Sequence, residues 1–386
     1  MRKLSPIWLT VAVTLILGLV ACGGGNSGSN LNSPPPNSKV ALIDMTPAET
    51  YMGYQGGLYP NGSNTMPGSH ATSGQLAASL IKPLDVNGNP SANGKIVFLG
   101  MGMSHVWYEF GQYFVPITIP ANQGALNPQM AVVNGGQLGV TACYWTLTTG
   151  VANNCDPPDP VNTPCGGAFI NPYDQVVQCF LGANFGLGPN LSEKQVQAIW
   201  LKQADRDPGP NHWASLCDIT QPGCINDDQH TDALRLEALM AEDLRAAKIR
   251  YPNLKQVFVS SRSYGGYATT TLNPEPYAYE SGFAVKWLIQ AQITQEQTGA
   301  IDPVAGDLSV GNAAPWIAWG PYLWANGTTP NSQGTFWCNG QAGPPCNGEM
   351  DFRPDDHTHP TVEGQKKVSN LLFNFFNSSP LTPWFR

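Results

Sequence analysis

The sequence predicts an α/β fold built around a mostly parallel sheet. Short apolar runs bounded by Gly, Asn or Pro alternate along the chain with longer segments of helical periodicity, which is the order of βαβ units. An apolar content of 42% is enough for one sizeable core. With 41 Gly, 34 Pro and only 12% charged residues, the chain should also contain long ordered loops.

Four segments are predicted to form strands: residues 95–100, 130–133, 196–203 and 256–260. The first contains Ile96, Val97, Phe98 and Leu99, opens after Asn93-Gly94 and closes at a glycine. A run this short and this abruptly bounded favours a buried strand over a helix.

The best helix prediction covers residues 232–250. Thr231 is a candidate N-cap, Lys248 and Arg250 suit the negative end of the helix dipole, and Pro252 stops the helix. Further helices are predicted over residues 282–293 and 361–377, with shorter ones over 75–82 and from Trp107 to Phe114.

The N-terminal residues are expected to direct export. Arg2 and Lys3 precede an apolar run over residues 7–20, which is short for a membrane span but has the form of a secretory signal. It ends in Leu-Val-Ala-Cys22, which resembles the bacterial lipobox and predicts lipidation of Cys22. The alternative is a plain signal peptide with an incidental cysteine. The predicted organisation is a signal at 1–21, a flexible Gly/Ser/Pro tether at 22–39 and a folded domain at 40–386.

The other eight cysteines form an even set, which suggests disulfides in an exported chain: Cys143, Cys155, Cys165, Cys179, Cys217, Cys224, Cys338 and Cys346. Cys217–Cys224 and Cys338–Cys346 are the expected local pairs, and the other four are expected to pair among themselves. Their spacing lacks the paired C-x-x-C pattern of zinc sites.

The net charge of −8 gives no basic footprint for nucleic acid. We expect no nucleic-acid partner, and the membrane contact expected is through lipidated Cys22.

Ser104 is a candidate nucleophile. It follows the first predicted strand across the Gly100-Met101-Gly102 turn, at the sheet edge where parallel α/β folds bind ligands. A serine nucleophile needs a base, and that base needs a carboxylate to orient it. Asp356 and His359, three residues apart in a Pro-bounded loop, provide both.

A Gly-x-Ser turn after the first strand, with Asp-x-x-His-Pro near the C-terminus, resembles the SGNH (GDSL-type) hydrolases. The resemblance spans about residues 95–377. It implies a three-layer α/β/α, flavodoxin-like fold and a triad of Ser104, His359 and Asp356 that hydrolyses esters without a cofactor. The turn departs from the family because it lacks the Asp of Gly-Asp-Ser.

The resemblance also suggests where the oxyanion donors lie. The Ser104 backbone N–H is one, and a glycine after the second strand is another, for which Gly139 is the choice; a tight-turn role for that glycine is equally open. The family places an Asn after the third strand, whereas Asp205 aligns there. An ionised Asp would repel an oxyanion, so either Asp205 is protonated, or Gln203 donates, or the hole is poor.

Two other sites are open from the sequence. Ser263 in Ser-Arg-Ser-Tyr-Gly-Gly resembles an α/β-hydrolase nucleophile elbow, although Ser261 stands where a glycine is wanted. The carboxylates and imidazoles of 355–359 could bind a metal, but no outlying ligands suggest themselves. His357 is expected to be a solvated neighbour. His70, His105, His212 and His230 are each expected to be structural or exposed.

An aromatic group between Ala314 and Trp337 could stack on sugars or pack as local core: Trp316, Trp319, Tyr322, Trp324 and Trp337. Glu280, just before the helix predicted over residues 282–293, is expected to favour the start of that helix.

The sequence therefore predicts a monomeric, lipid-anchored esterase of the cell envelope, periplasmic or surface-exposed, with a carbohydrate O-acetyl ester as the first substrate to test. The alternatives are a surface binding lipoprotein on the same fold, with weak or no catalysis, and an α/β-hydrolase that uses Ser263.

Overall fold

The computed structural model describes residues 39–152, 155, 170–182 and 191–386. The predicted signal, most of the predicted tether, Cys22 and Cys165 lie outside the described residues. The described part belongs to one compact unit that extends to Arg386.

Five parallel strands form the central sheet. They are β3 (Ile96–Gly102), β4 (Met130–Gly136), β5 (Val196–Lys202), β6 (Gln256–Val259) and β7 (Trp316–Trp319). The sheet order is β4-β3-β5-β6-β7, and every neighbouring pair is parallel. A separate antiparallel pair joins β1 (Thr50–Tyr51) to β2 (Tyr54–Gln55). The α/β prediction is confirmed.

The main helices are α1 (Gly68–Ser79), α2 (Ser104–Val106), α3 (Ile119–Ala121), α4 (Ala142–Trp145), α5 (Pro172–Val176), α6 (Asp232–Arg250), α7 (Tyr277–Thr298) and α8 (Val362–Ser378). A π-helical segment, Trp107–Thr118, connects α2 to α3, and a second one, Val177–Leu181, extends α5. Short 3-10 turns occur at Leu42–Asp44, Pro60–Gly62, Gln123–Ala125, Glu193–Gln195 and Pro383–Phe385.

All four predicted strands are present, with small differences at their ends. The best helix prediction has the observed bounds of α6, although the Thr231 side chain makes no capping hydrogen bond. Thr361 does cap α8, since its hydroxyl accepts from the Gly364 N–H. The prediction of a helix over 75–82 is wrong in position, because α1 starts at Gly68 and ends at Ser79.

The strand β7 is absent from the predicted strands, and its tryptophans pack as core instead of stacking on sugars. The four tryptophans and the tyrosine of this group are all at most 3% exposed. Trp316 and Trp319 are the ends of a strand of the central sheet, and Trp324 and Trp337 are fully packed. These rings therefore offer no open face to a ligand.

The residues of β3 belong to two apolar clusters of the core. All seven residues of β3 are buried, as expected of a parallel strand whose run of apolar residues does not alternate with polar ones. Phe98 packs into one apolar cluster with Phe376 of α8, whereas Leu99 packs into another with Leu244 of α6 and Leu288 of α7. Successive side chains of a strand point to opposite faces, so neighbouring residues of β3 join different clusters.

Disulfides join Cys143 to Cys155, Cys217 to Cys224 and Cys338 to Cys346, and Cys179 is disulfide-bonded as well. The two predicted local pairs are confirmed. Such bonds indicate an oxidising, extracytoplasmic location. Within the described ranges, no helix is both long enough and apolar enough to cross a membrane.

Candidate active site

Ser104 lies at the first residue of α2, immediately beyond the carboxyl end of β3. The turn that places it there requires glycine at residue 102. Gly102 has φ +146°, and a Cβ on it would come within 2.2 Å of the Lys202 carbonyl oxygen. A side chain of any size would clash there, so the Gly-x-Ser sequence is needed to project the hydroxyl from the sheet edge.

His359 and Asp356 meet Ser104 at this edge. The Nε2 atom of His359 lies 2.8 Å from the Ser104 Oγ, across 255 residues of sequence. The Nδ1 atom of the same ring lies 2.5 Å from the Asp356 Oδ2. These are hydrogen-bond distances on both sides of the imidazole, so the three side chains form a continuous Ser–His–Asp relay.

Asp356 is held in its ionised form by the loop around it. Its Oδ1 accepts from the backbone N–H groups of Thr358 at 2.8 Å and His359 at 2.9 Å. Burial alone would raise the pKa of Asp356, but the hydrogen bonds from the His359 ring and from these two N–H groups outweigh burial and lower the pKa to about 2. The carboxylate therefore stays charged, and able to orient the imidazole, in mildly acidic as well as neutral solution.

The triad opens onto a cleft of about 440 Å³ whose lining includes Ser104, Gly139, Asp205, Arg262 and His359. The backbone N–H groups of Ser104 and Gly139 make no hydrogen bond to any described residue. Gly139 has φ +76°, a left-handed conformation that favours glycine. Both residues line the cleft and neither N–H group has a partner among the described residues, which leaves both N–H groups free to act as oxyanion donors.

Asp205 does lie in the cleft, at the end of β5. Burial raises its pKa to about 6, while Arg235, whose Nε lies 3.5 Å from the Asp205 Oδ2, opposes the rise. One option left open by the sequence is a protonated Asp205. With this pKa, Asp205 is protonated only in mildly acidic solution, and at neutral pH its carboxylate is mostly charged.

Gln203 is not in the cleft lining. Its amide Nε2 donates to the Asp243 Oδ2 of α6 at 3.1 Å, so the side chain points into the α6 side of the core. The structure therefore does not bring the Gln203 amide together with Ser104, contrary to that option.

Ser263, the rival nucleophile, is 4% exposed and is not among the residues that line this cleft. The imidazole of His359 faces Ser104 instead. His357 turns its Nδ1 to the Asn339 Oδ1 at 2.8 Å, away from the triad. Across the described residues no group of three or more His, Cys, Asp or Glu is arranged to hold a metal.

Next to Ser104 lies a group of buried charged residues that we call the polar floor: His105, Glu109, Lys202 and Arg262. The Lys202 Nζ donates to both carboxylate oxygens of Glu109 at 2.8 Å. His105 Nδ1 lies 3.0 Å from the Glu109 Oε1, and His105 Nε2 lies 3.3 Å from the Arg262 Nη2.

The charges of the polar floor are set by their burial. Desolvation, followed by the charges of Arg262 and Lys202, holds the pKa of His105 well below its usual value, so the imidazole is neutral. Burial lowers the pKa of Lys202 to about 8 against the opposing attraction of Glu109, which leaves it mainly charged at pH 7. Of the two roles predicted for His105, structural or exposed, the structure shows the buried, hydrogen-bonded one, and the sequence did not indicate its charged partners.

The remaining singled-out residues have structural contacts. His70 is buried, with Nε2 2.8 Å from the Ile317 carbonyl oxygen, and His230 is exposed beside Asp227. His212 packs its ring against Trp213. Glu280 is buried in α7 and accepts from the Tyr51 hydroxyl and the Leu216 N–H, which is more than the helix-start role predicted for it.

Compared with known proteins, the chain matches no family model, no curated protein and no solved structure.

Proposed function

We propose that the chain is an SGNH-like serine hydrolase that cleaves ester bonds through an acyl-enzyme. The observation that carries the proposal is the unbroken relay from the Ser104 hydroxyl through His359 to Asp356, at the edge of a cleft. The strand order also supports it: numbered along the sheet's own strands it is 2-1-3-4-5, the flavodoxin-like order, with the cleft at the switch point beside the first strand. The three-layer α/β/α arrangement implied by the family is part of the same proposal.

In the proposed reaction, His359 Nε2 accepts the Ser104 proton as Oγ attacks the ester carbonyl. Asp356 holds the ring through Nδ1 and stabilises the imidazolium that forms. The N–H groups of Ser104 and Gly139 donate to the oxyanion of the tetrahedral intermediate. The alcohol leaves with the proton from His359, and water, activated by the same imidazole, then releases the acyl group from Ser104.

A carbohydrate O-acetyl ester remains the first substrate to test, and the sequence resemblance is what favours it. The aromatic residues that could have bound a sugar lie in the core and add no support. We also propose, from the lipobox-like sequence at Cys22, that the protein is lipid-anchored in the cell envelope. Disulfides are compatible with that location.

Covalent labelling tests the nucleophile. A fluorophosphonate probe should label the wild-type protein and Ser263→Ala, and it should not label Ser104→Ala. The Ser263→Ala variant is the matched control, because it removes a buried hydroxyl that follows a different strand. Labelling that survives in Ser104→Ala and disappears in Ser263→Ala would transfer the role to the nucleophile elbow.

The second candidate function, a binding protein without turnover, is favoured by one observation. Asp205, a mostly ionised carboxylate at neutral pH, stands where the family has a neutral oxyanion donor. A panel of p-nitrophenyl acetate and related esters, run beside a glycan-binding screen, separates the two. Binding with no turnover by wild-type protein would support the binding role.

A further inference from the structure

Among the described residues that line the cleft, Arg262 is a cation without a carboxylate partner. It follows β6 and is 5% exposed. Its Nη1 lies 3.4 Å from the Met103 sulfur and its Nη2 lies 3.3 Å from the neutral His105 ring. Its Nε makes no hydrogen bond. Within the described part of the chain, no carboxylate lies within 4 Å of its guanidinium.

The other charges around the cleft are paired. Glu109 gives both oxygens to Lys202, Asp205 faces Arg235, and Arg206 faces Asp207. The polar floor itself contains two cations and one anion, which leaves one positive charge uncompensated. A buried charge is normally paired, because removing an ion from water is unfavourable by several kcal/mol unless a counter-charge or several hydrogen bonds replace the water.

Asp232 is, besides Glu109, a carboxylate whose charge acts on Arg262, but it forms neither an ion pair nor a hydrogen bond with the guanidinium. It is fully buried, and neither of its carboxylate oxygens has a hydrogen-bond partner. Burial, with the negative charges of Asp205 and Glu280, raises the pKa of Asp232 well above its usual value, which favours its neutral form. Burial also lowers the pKa of Arg262, but only to about 10, so the guanidinium stays charged at neutral pH. Arg262 therefore carries a charge and at least one N–H donor, at Nε, that no described residue satisfies.

The position of Arg262 indicates where a bound anion would lie. Its guanidinium contacts Met103 and His105, the residues on either side of Ser104, so the positive charge lies against the reacting centre on the cleft side. Asn273, another cleft residue that is 4% exposed, also has a buried Oδ1 without a hydrogen-bond partner. The Asn273 Oδ1 is an acceptor and would take a donor of a bound molecule, so among the described lining residues only Arg262 offers this cleft an unsatisfied positive charge.

We propose that Arg262 forms an anion-binding subsite in the cleft and that the ester cleaved at Ser104 carries a carboxylate. A guanidinium presents a planar fork of N–H groups that matches a carboxylate. The carboxylate would supply the missing counter-charge on binding, and neutral esters would leave Arg262 unpaired. The substrate class rests on the proposed hydrolase function, whereas the anion-binding subsite does not.

Binding is tested without turnover. Acetate, succinate and glucuronate are titrated by calorimetry into Ser104→Ala protein, with neutral succinamide as the matched probe. We expect at least one carboxylate to bind saturably, succinamide to bind at least about tenfold more weakly, and Arg262→Gln to abolish the difference, since a hydrogen bond to a charged group carries about a factor of ten in affinity. Arg386→Gln removes an exposed arginine and serves as the control. The subsite is overturned if no carboxylate binds or if Arg262→Gln leaves binding unchanged.

Turnover tests the substrate class. The specificity constant kcat/KM is measured for two p-nitrophenyl esters, the charged hemisuccinate and the butyrate, which has a similar length and no charge. Arg262→Gln should lower the ratio of hemisuccinate to butyrate by about tenfold, with Arg262→Lys in between. An equal loss for both esters would assign Arg262 to the oxyanion and overturn the carboxylate substrate. If wild-type protein hydrolyses neither ester while carboxylates still bind, the hydrolase proposal fails and the subsite stands.

Stability separates a ligand-binding arginine from a structural one. If Arg262 is an unpaired buried cation held for a ligand, Arg262→Gln should unfold at the same temperature as wild type or a higher one. A lower melting temperature together with unchanged carboxylate binding would mean that Arg262 serves the fold alone, and the proposal would be wrong. If melting temperature and binding fall together, Arg262→Lys, which keeps the charge, should restore part of the binding, and failure to do so would also overturn the subsite.

Discussion

Two regions next to Ser104 satisfy their polar groups in different ways. The triad loop, residues 353–360, is held mainly by local hydrogen bonds. The Arg353 N–H donates to the His359 carbonyl, and Asp356 accepts from the N–H groups two and three residues later. The polar floor is closed by contacts between distant segments, such as Lys202 with Glu109 and Arg262 with His105. A loop held by its own residues can set the catalytic geometry, while the floor, with its unpaired cation, remains free to respond to a ligand.

The largest expected effect tests the loop. Asp356→Asn should lower kcat/KM on p-nitrophenyl acetate by about 10³- to 10⁴-fold, because an amide at that position no longer fixes the imidazole tautomer or stabilises its charge. The fold should persist, since the Asn carbonyl can still accept from the Thr358 and His359 N–H groups. A loss below about tenfold with native circular dichroism would mean that the loop does not orient the base.

A change in the polar floor should mainly alter the stability of the fold. Lys202→Met leaves Glu109 buried without its cation and should lower the free energy of unfolding by about 3 to 5 kcal/mol, measured by urea denaturation. The double variant Lys202→Met/Glu109→Leu removes both charges and should recover a large part of that loss. If the double variant is as unstable as the sum of the two single ones, Lys202 and Glu109 are not coupled.

Asp205 lines the same cleft as residues of both regions, and its charge should make activity depend on pH. Because burial raises its pKa to about 6, wild-type protein carries the repulsive carboxylate above pH 6 and loses it below. Asp205→Asn should therefore raise kcat several-fold at pH 8, and the ratio of variant to wild type should fall toward one as the pH drops below 6. Taking the ratio cancels every pH effect that the two proteins share. A ratio that is constant with pH would show that the Asp205 charge does not act on the reaction.

The smallest effect is expected from Tyr108, which packs beside the triad loop. The Tyr108 ring packs edge-on against His359 with centroids 5.5 Å apart, and its hydroxyl accepts from the Arg353 Nη1 at 3.0 Å. Tyr108→Phe keeps the ring and should change kcat/KM by less than about threefold, whereas Tyr108→Ala should lower it further. Equal losses in both variants would assign the effect to the hydroxyl and not to packing.

The same contrast explains what is predictable from the sequence. Ser104, Asp356 and His359 are predictable because a glycine turn and an Asp-x-x-His-Pro segment are local patterns. The floor is not, because Glu109 and Lys202 are 93 residues apart and Arg262 and His105 are 157 apart, and nothing in either neighbourhood indicates the other. A Lys at the end of an apolar strand, as Lys202 is in β5, was the available signal of a buried ion pair.

The fold is predictable where burial is continuous along the chain. Apolar runs mark β3 to β6, and periodicity marks α6. The strand β7 is missed because its tryptophans lie among Gly and Pro, and α1 is misplaced because its first turns, from Gly68 to Gly74, are small and polar. In both cases tertiary packing overrides a weak local preference.

The 255 residues between Ser104 and His359 have a consequence for biosynthesis. A ribosome synthesises Ser104 long before His359, so in the proposed mechanism Ser104 has no proton acceptor until the 353–360 loop has emerged and folded. Proteolytic cleavage between Ser104 and the triad loop that released the loop would leave the hydroxyl without His359 and Asp356, which under the proposed mechanism would abolish the reaction.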